Sequence, residues 1–304
     1  MSQIENSISS IDLTDKSVLL RVDFNVPLKG SELLDDERLI RALPTINFIA
    51  ENAKSLKIIS HLGRPEETGL VQDKFSLKPV AKKLAELLGK EVNLVNSLKE
   101  LKSLKNISML ENIRFYKGEK QNEDKLSKAL AETADVFVMD AFGTAHRKQA
   151  STFGVTKFVK EACVGLLVEE ELKALEKIID SPEKPILGII GGSKISTKMK
   201  VLESLTRHVD HLIIGGALAN TCLKALGKNI GKSLYEKDFI ELAKTIIKNK
   251  KILLPSYVVV TKGRDAKLEE KHIDDVEDDD IIFDIGQSSI EDFSQYINSA
   301  KTII

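Results

Sequence analysis

Short hydrophobic runs alternate with longer amphipathic segments through the first half of the chain. Four of these runs cover residues 18–20, 58–59, 107–110 and 136–139, and several segments between them carry apolar residues at helical spacing. Strands that alternate with helices form mostly parallel sheets with helices on both faces. The pattern therefore predicts an α/β fold built from Rossmann-like three-layer domains.

Three of the intervening segments carry helix signals. Ser76 can cap one helix, and Gly89 stands where a C-cap would end it. A pair of aspartates precedes a second apolar stripe, in which Pro44 predicts a kink or a late start. Asn122 is expected to begin a third helix. The strongly charged residues 262–280 predict an exposed loop without chemistry.

A domain boundary is predicted near the middle of the chain. Residues 165–180 form a helical pattern, a segment with two prolines follows, and a new apolar run covers residues 186–190. A chain of 304 residues with 42% hydrophobic side chains can build two cores. We predict domains at 1–164 and 181–304 joined by a connecting helix or hinge at 165–180. The alternative is one more crossover helix within a single large sheet.

Composition narrows the classes of partner. Lys plus Arg (45) nearly cancel Asp plus Glu (46), so no global positive field would attract nucleic acid or an anionic membrane. The two cysteines lack zinc-ligand spacing and do not form a disulfide framework, which favours a reducing compartment. The N-terminus lacks signal-peptide features, and no apolar run reaches the length of a membrane span. We expect a cytoplasmic protein without membrane or nucleic-acid partners.

Polar clusters follow each of the four hydrophobic runs. Because the carboxyl ends of parallel strands open onto one crevice, these clusters predict a cationic bowl for a small polyanion. Taken singly, the arginines could be surface residues, the first cluster a simple turn, and the histidines buried groups bonded to backbone. The bowl comprises Asp23, Asn25, His61, Arg64, Glu111, Arg114, Asp140, His146 and Arg147.

Two strand–glycine–helix junctions occur in the second half, at residues 186–198 and 211–222. The first places Lys194 and Lys198 four residues apart, which predicts two ammonium groups on one side of a starting helix, suited to phosphate. Ser193 and Ile195 break the Walker A pattern, and neither junction has the dinucleotide spacing GxGxxG. Glycines at such junctions can also serve only to relieve crowding between strand and helix.

Eight segments together resemble the phosphoglycerate kinase family across nearly the whole chain and in the family's order. They are RVDFNVP (21–27), DDERLIRALPTI (35–46), SHLGRP (60–65), LENIRF (110–115), KGE (117–119), DAFGTAHR (140–147), GGSKISTK (191–198) and IIGGALANT (213–221). The resemblance implies reversible phosphoryl transfer between 1,3-bisphosphoglycerate and ADP, giving 3-phosphoglycerate and ATP, with Mg²⁺ accompanying the nucleotide. It also implies closure of two domains about a hinge, and a monomer.

The resemblance assigns roles to particular positions. Implied catalytic charges are Arg38, Lys194 and Lys198, with no metal ligand assigned to a side chain. The implied substrate-binding residues are Asp23, Asn25, Arg38, His61, Arg64, Arg114 and Arg147. The implied nucleotide-binding residues are Gly192, Lys194, Lys198, Gly215 and Gly216.

The sequence departs from the family pattern where it stops. It ends at Ile304, before the WNGP, GGGDT and STGGGA segments typical of the family, so the resemblance implies an incomplete second domain and a poorly active chain. Ala217 and Cys222 are smaller, tolerable departures. The alternative function is a truncated, non-catalytic chain that binds phosphoglycerate only. A nicotinamide dehydrogenase is disfavoured by the missing dinucleotide fingerprint.

Overall fold

The structure, a computed structural model, describes residues 6–180, 182–263 and 266–304. The chain divides into two compact units, Met1–Leu175 and Glu176–Ile304. The division falls inside a helix, Leu166–Asp180, which begins one residue after the start predicted for the connecting helix. Each unit is built around its own parallel sheet.

The described residues of unit 1 form eight strands and the helices that connect them. The strands are β1 Ser17–Val22, β2 Leu28–Lys29, β3 Glu32–Leu33, β4 Ser55–Ile59, β5 Asn93–Val95, β6 Ser108–Leu110, β7 Val136–Asp140 and β8 Glu161–Val164. The helices are α1 Glu37–Asn52, α2 Lys78–Leu88, α3 Leu98–Ser103, α4 Asp124–Ala131, α5 Phe142–Ala145 and α6 Leu166–Asp180. Short 3₁₀ turns lie at Ile8–Ser10, Asp73–Phe75, Ile113–Phe115 and Gly154–Lys157.

The six-stranded sheet of unit 1 has the order β5-β6-β4-β1-β7-β8, and all of its pairs are parallel. The four predicted runs are β1, β4, β6 and β7, and they are neighbours in the sheet in the order β6-β4-β1-β7. Successive residues of β1 serve opposite faces: Leu20 packs with helices α1 and α2, and Leu19 packs with α3 and α4. Successive side chains of a strand point to opposite faces of the sheet, and in this buried parallel sheet helices cover both faces.

Three helices differ in detail from the sequence prediction. Helix α1 begins at Glu37 and continues through Pro44, so the predicted late start is wrong. Helix α2 ends at Gly89 in the left-handed conformation, as predicted, but Leu77 rather than Ser76 is its N-cap. Helix α4 begins at Asp124, because Asn122 adopts a left-handed turn conformation that cannot continue a helix.

Unit 2 combines a parallel sheet with a small antiparallel one. Its strands are β9 Ile186–Ile190, β10 His211–Ile214, β11 Ile252–Leu253, β12 Tyr257–Thr261, β13 Glu269–His272, β14 Ile281–Ile285 and β15 Thr302–Ile303. Its helices are α7 Met199–His208, α8 Gly216–Ala225, α9 Ile240–Ile246 and α10 Gln287–Ser299, with 3₁₀ turns at Lys237–Phe239 and Ile273–Asp275.

The parallel sheet of unit 2 has the order β11-β10-β9-β15, and the antiparallel sheet has the order β13-β12-β14. Alternate residues of β10 again serve two faces: Leu212 packs with α7, α8 and α9, whereas Ile213 packs with Phe293 of α10. The predicted exposed loop at 262–280 is wrong in part, because β13 pairs with β12 there. Most of the described residues in 262–280 are exposed to solvent, which is consistent with their charged side chains.

In the described part of the chain, none of the helices has the combination of length and apolar character that crossing a bilayer needs.

Candidate functional site

The carboxyl ends of β1, β4, β6 and β7 position the predicted bowl in unit 1. Asp23 and Asn25 follow β1, His61 and Arg64 follow β4, Arg114 lies in the 3₁₀ turn after β6, and Arg147 follows α5 after β7. Arg38 joins them from the first turn of α1. The strand order makes these four ends neighbours, which is why segments so far apart in sequence share one site.

Asp23 organises one side of the bowl. Its Oδ2 lies 2.7 Å from Nη1 of Arg38, forming an ion pair, and its Oδ1 accepts from the backbone N–H of Asn25 at 3.1 Å. The amide oxygen of Asn25 accepts from the N–H of Gly63 at 2.8 Å, which ties the end of β1 to the end of β4. Arg114 donates to the carbonyl of Gly63 from the other side.

Positive charge is concentrated around His61, which is 2% exposed. Burial lowers the pKa of His61 to about 2, and four arginine charges act in the same direction: Arg21, Arg114, Arg147 and Arg38. His61 is therefore neutral at pH 7. Burial also lowers the pKa of Arg114, and the charges of Arg147 and Arg64 act in the same direction, whereas Glu119 and Asp23 oppose it. The bowl is a convergence of guanidinium groups, the geometry that suits phosphate.

A cavity of about 450 Å³ adjoins this cluster. Asp23 and Arg38 line it together with Phe142, Gly143 and Leu167. Of the seven predicted substrate residues, Asp23 and Arg38 line this cavity, and the other five interact with them or with one another through hydrogen bonds and charge. The cavity is large enough for a three-carbon phosphate.

Two members of the predicted bowl have other partners, and a third is exposed to solvent. Glu111 is buried and accepts hydrogen bonds from Leu77 N at 2.7 Å and Ser76 Oγ at 2.6 Å, so it anchors the start of α2. Asp140 accepts from Val168 N at 3.1 Å at the start of α6, and burial raises its pKa. His146 is exposed. Glu111 and Asp140 do lie at strand ends, as predicted. Their side chains bond to the starts of α2 and α6 and not to the arginines of the bowl.

Sequence reasoning missed a buried polar chain behind the bowl. Arg21, the last but one residue of β1, is completely buried, and its Nη2 lies 3.1 Å from Nδ1 of His61. Its Nε donates to Ser151 Oγ at 3.1 Å, and that hydroxyl lies 2.6 Å from Glu119. An arginine inside a hydrophobic strand was a signal for it, since buried charges need partners.

The second candidate site is the double-glycine junction of unit 2, formed where β9 and β10 end side by side. Gly215 N–H donates to Ile190 O at 2.9 Å, and Leu218 N–H donates to Gly192 O at 2.9 Å. The two glycine pairs therefore lie directly against each other. Gly216 and Gly192 both have positive φ, +65° and +146°, a conformation that favours glycine. The backbone of Gly192 lies so close to Gly216 that a Cβ there would be 3.0 Å from the Gly192 carbonyl oxygen.

The predicted helical placement of Lys194 and Lys198 is wrong. Helix α7 begins at Met199, with Lys198 as its N-cap, and residues 191–198 form a lysine loop. The loop is anchored by Ile195, which is fully buried, and by Ser196, which bonds to Glu236 through its N–H at 2.9 Å and its Oγ at 2.6 Å. These anchors pull the chain out of helical geometry while leaving Lys194 exposed.

An apolar pocket of about 200 Å³ adjoins the double-glycine junction. Gly216, Ala219, Leu234, Pro255 and Phe283 are among its lining residues. Phe283 and Leu234 expose 68% and 64% of their surface, although both are large and hydrophobic. An apolar pocket of this kind suits a nucleotide base, and a glycine loop that carries lysines suits phosphate. The two lie next to each other here.

Comparison with known proteins indicates the family to which the chain belongs. A family model described as phosphoglycerate kinase matches residues 8–304. Proteins named phosphoglycerate kinase from Vibrio campbellii and Francisella philomiragia are each 45% identical, and each alignment covers 98% of this chain and 78% of the relative.

Solved structures agree as well. The phosphoglycerate kinase structure from Coxiella burnetii matches with a TM-score of 0.83 at 44% identity, over 98% of this chain and 78% of that one. The enzyme from Pyrococcus horikoshii matches with a TM-score of 0.83 at 27% identity, over 98% and 79%. The family model and the relatives define a phosphotransferase, here built from two α/β units. The chain belongs to the phosphoglycerate kinase family and is a kinase.

Proposed function

We propose that unit 1 binds 3-phosphoglycerate or 1,3-bisphosphoglycerate in the bowl and that unit 2 binds ADP or ATP at the double-glycine junction. The reaction is reversible transfer of a phosphoryl group from the acyl phosphate of 1,3-bisphosphoglycerate to ADP. The observation that carries the proposal is the cluster of arginine charges around the buried His61, next to a cavity that Asp23 and Arg38 line. The relatives named above are kinases by name, which favours catalysis over a chain that only binds.

In the bowl, Arg64, Arg114 and Arg147 would hold the phosphate that is not transferred, because guanidinium groups donate to two phosphate oxygens at once. His61 is neutral, so it would add a hydrogen bond rather than a charge. Asp23 and Asn25 would position the hydroxyl and carbon backbone of the glycerate. Hydrogen bonds support this role, because Asp23 accepts from the N–H of Asn25 and the Asn25 side chain accepts from the N–H of Gly63, so both side chains have a defined orientation.

In unit 2, the lysine loop would contact the nucleotide phosphates through Lys194 and Lys198, and Gly192, Gly215 and Gly216 would allow close approach of the backbone. The apolar pocket beside Gly216 suits the adenine ring.

Magnesium would arrive on the nucleotide, where it neutralises charge on the phosphates. The lysine loop fits phosphate rather than a resident metal, because its charged side chains are cationic. Elsewhere among the described residues, the acidic group Glu277, Asp279 and Asp280 could share a cation. It does not fit a magnesium site, since Lys262 and Lys271 already pair with those carboxylates at 2.7–3.3 Å.

Phosphoryl transfer requires alignment and stabilisation of charge more than covalent participation by the protein. Arg38 in unit 1 and Lys194 or Lys198 in unit 2 would supply that charge. Helix α6, within which the two units divide, would act as the hinge for closure. The attacking group is already an anion, so no general base is needed. We further propose that the protein acts as a cytoplasmic monomer.

Calorimetric titration with 3-phosphoglycerate tests the bowl. We expect Arg38→Ala combined with Arg147→Ala to weaken binding at least roughly 100-fold, because two charge-assisted hydrogen bonds are lost. Arg207→Ala, in the last turn of α7, removes the same type of charge from unit 2 and should leave the affinity unchanged. An unchanged affinity in the double variant would refute the site assignment.

A coupled kinase assay tests the nucleotide half separately. Lys198→Met should lower kcat about 100- to 1000-fold, the range seen when one preorganised donor to the transition state is removed. The variant should still bind 3-phosphoglycerate with unchanged affinity. Full turnover in the variant would contradict the role assigned to Lys198.

A further inference from the structure

The buried chain Glu119–Ser151–Arg21–His61 lies behind the bowl and is not explained by contact with substrate. Glu119, Ser151 and Arg21 have no exposed surface. Ser151 donates its N–H to one oxygen of Glu119 at 3.0 Å and its hydroxyl lies 2.6 Å from the other oxygen. A polar chain this deeply buried remains only if each member is satisfied by the next.

The direction of each hydrogen bond follows from the chemistry of arginine. A guanidinium group has five N–H donors and no acceptor. Arg21 therefore donates its Nε–H to Ser151 and its Nη2–H to Nδ1 of His61, at 3.1 Å in both cases. Nδ1 of His61 must be an unprotonated acceptor, which leaves Nε2 as the nitrogen that carries the proton.

The charges that face His61 from neighbouring elements reinforce this state. Asp23 would favour a proton on Nδ1, but its Oδ1 lies 3.8 Å away, beyond hydrogen-bond range. Burial and the surrounding arginines oppose a cationic ring: Arg21 from β1, Arg38 from α1, Arg114 after β6 and Arg147 after β7.

Glu119 is the counter-charge that keeps Arg21 in place. Burial lowers the pKa of Arg21 to about 10, and Glu119 gives the largest opposing interaction. Burial also raises the pKa of Glu119, with the charge of Arg21 acting against that shift. The two groups therefore stabilise each other's charged form through Ser151.

We propose that Glu119 and Ser151 are positioning residues that hold Arg21 against His61 and so fix His61 as the neutral tautomer protonated on Nε2. The inference rests on the proposed phosphoglycerate site and deepens it, because it states what His61 offers the ligand. Nε2 makes no hydrogen bond within the described part of the chain and is left as a donor for an anionic oxygen. The positive charge around His61 then comes from the arginines and not from the imidazole ring.

Nitrogen-15 NMR of the intact protein tests the tautomer without any ligand, and His61→Gln identifies the signals. We expect Nδ1 to have the chemical shift of an unprotonated ring nitrogen and Nε2 that of a protonated one, with no titration between pH 5.5 and 8. A proton on Nδ1, or a titration midpoint inside this range, would overturn the proposal.

Ser151→Ala tests the positioning role. Without the hydroxyl, Arg21 loses its Nε acceptor, so both tautomers of His61 become populated and the difference between its two nitrogen shifts shrinks. The KM for 3-phosphoglycerate should rise roughly fivefold, the effect of losing one hydrogen bond, with a smaller change in kcat. Unchanged shifts and an unchanged KM would refute the role of Ser151.

Ser108→Ala is the matched control. Ser108 is equally buried, but it lies on β6, two strands away from the strand of Arg21, and its hydroxyl has no partner among the described residues. Its removal should leave the His61 shifts and the KM unchanged; a change equal to that of Ser151→Ala would count against the proposal. The phosphoglycerate assignment fails separately, if His61→Gln leaves the affinity for 3-phosphoglycerate unaltered while the tautomer result stands.

Discussion

The close contact between Gly216 and Gly192 should make position 216 intolerant of any side chain. A substitution there should lower both the stability of unit 2 and its affinity for nucleotide. A Cβ at position 216 would lie 3.0 Å from the carbonyl oxygen of Gly192 and 3.3 Å from its nitrogen. That carbonyl also accepts the N–H of Leu218 at 2.9 Å, so it cannot move away without losing a hydrogen bond. The obstacle is backbone, which has no rotamer that could relieve it.

Gly216→Ala therefore carries two separate penalties. Holding alanine at a φ of +65° costs about 1–2 kcal/mol. Overpacking against the Gly192 backbone costs about 1–3 kcal/mol more. We expect the free energy of unfolding of unit 2 to fall by about 2–5 kcal/mol. The KM for ATP should rise as well, because Gly192 lies beside Lys198 in the lysine loop.

Two further glycines separate these penalties. Gly227 has a φ of +80° and no atom within 4 Å of a Cβ, so Gly227→Ala should show the conformational penalty alone. Gly215 has an extended backbone, φ −122°, and equally open surroundings, so Gly215→Ala should change stability little. Urea denaturation followed by circular dichroism, and steady-state kinetics in ATP, measure both effects. Equal stability losses at positions 216 and 227, with an unchanged KM for ATP, would refute the reasoning.

Two more predictions concern carboxylates. Glu236→Ala removes both hydrogen bonds of Ser196 to Glu236. The KM for ATP should rise about tenfold, while the KM for 3-phosphoglycerate stays constant. Steady-state kinetics in which both KM values rise together would contradict this prediction. Burial raises the pKa of Asp140, so the folded state keeps this proton at a pH where the unfolded chain has lost it. Its contribution to stability is therefore full below the unfolded pKa and falls as pH rises towards the folded value. Asp140→Asn should abolish that slope in urea unfolding measured against pH, and an identical slope in the variant would show that another group is responsible.

The sequence by itself determined the strands and where they end. β1, β4, β6 and β7 were predicted because buried parallel strands are continuous apolar runs, and a polar cluster marks the point where each leaves the sheet. Parallel topology then requires those ends to share an edge. For this reason the residues proposed to bind substrate in unit 1 could be predicted to lie together, although the family resemblance was needed to suggest the ligand and to include Arg38.

Tertiary structure decided what the side chains at those positions bond to. Lys194 has the spacing of a helical residue, but burial of Ile195 and the bonds of Ser196 to Glu236 delay helix α7 until Met199. The strand β13 has only polar and charged side chains, so its pairing with β12 leaves no hydrophobic signal.

The chain from Glu119 through Ser151 to Arg21 joins residues up to 130 positions apart. No local pattern encodes such partners, because a buried charge selects its counter-charge by distance in space and not along the chain.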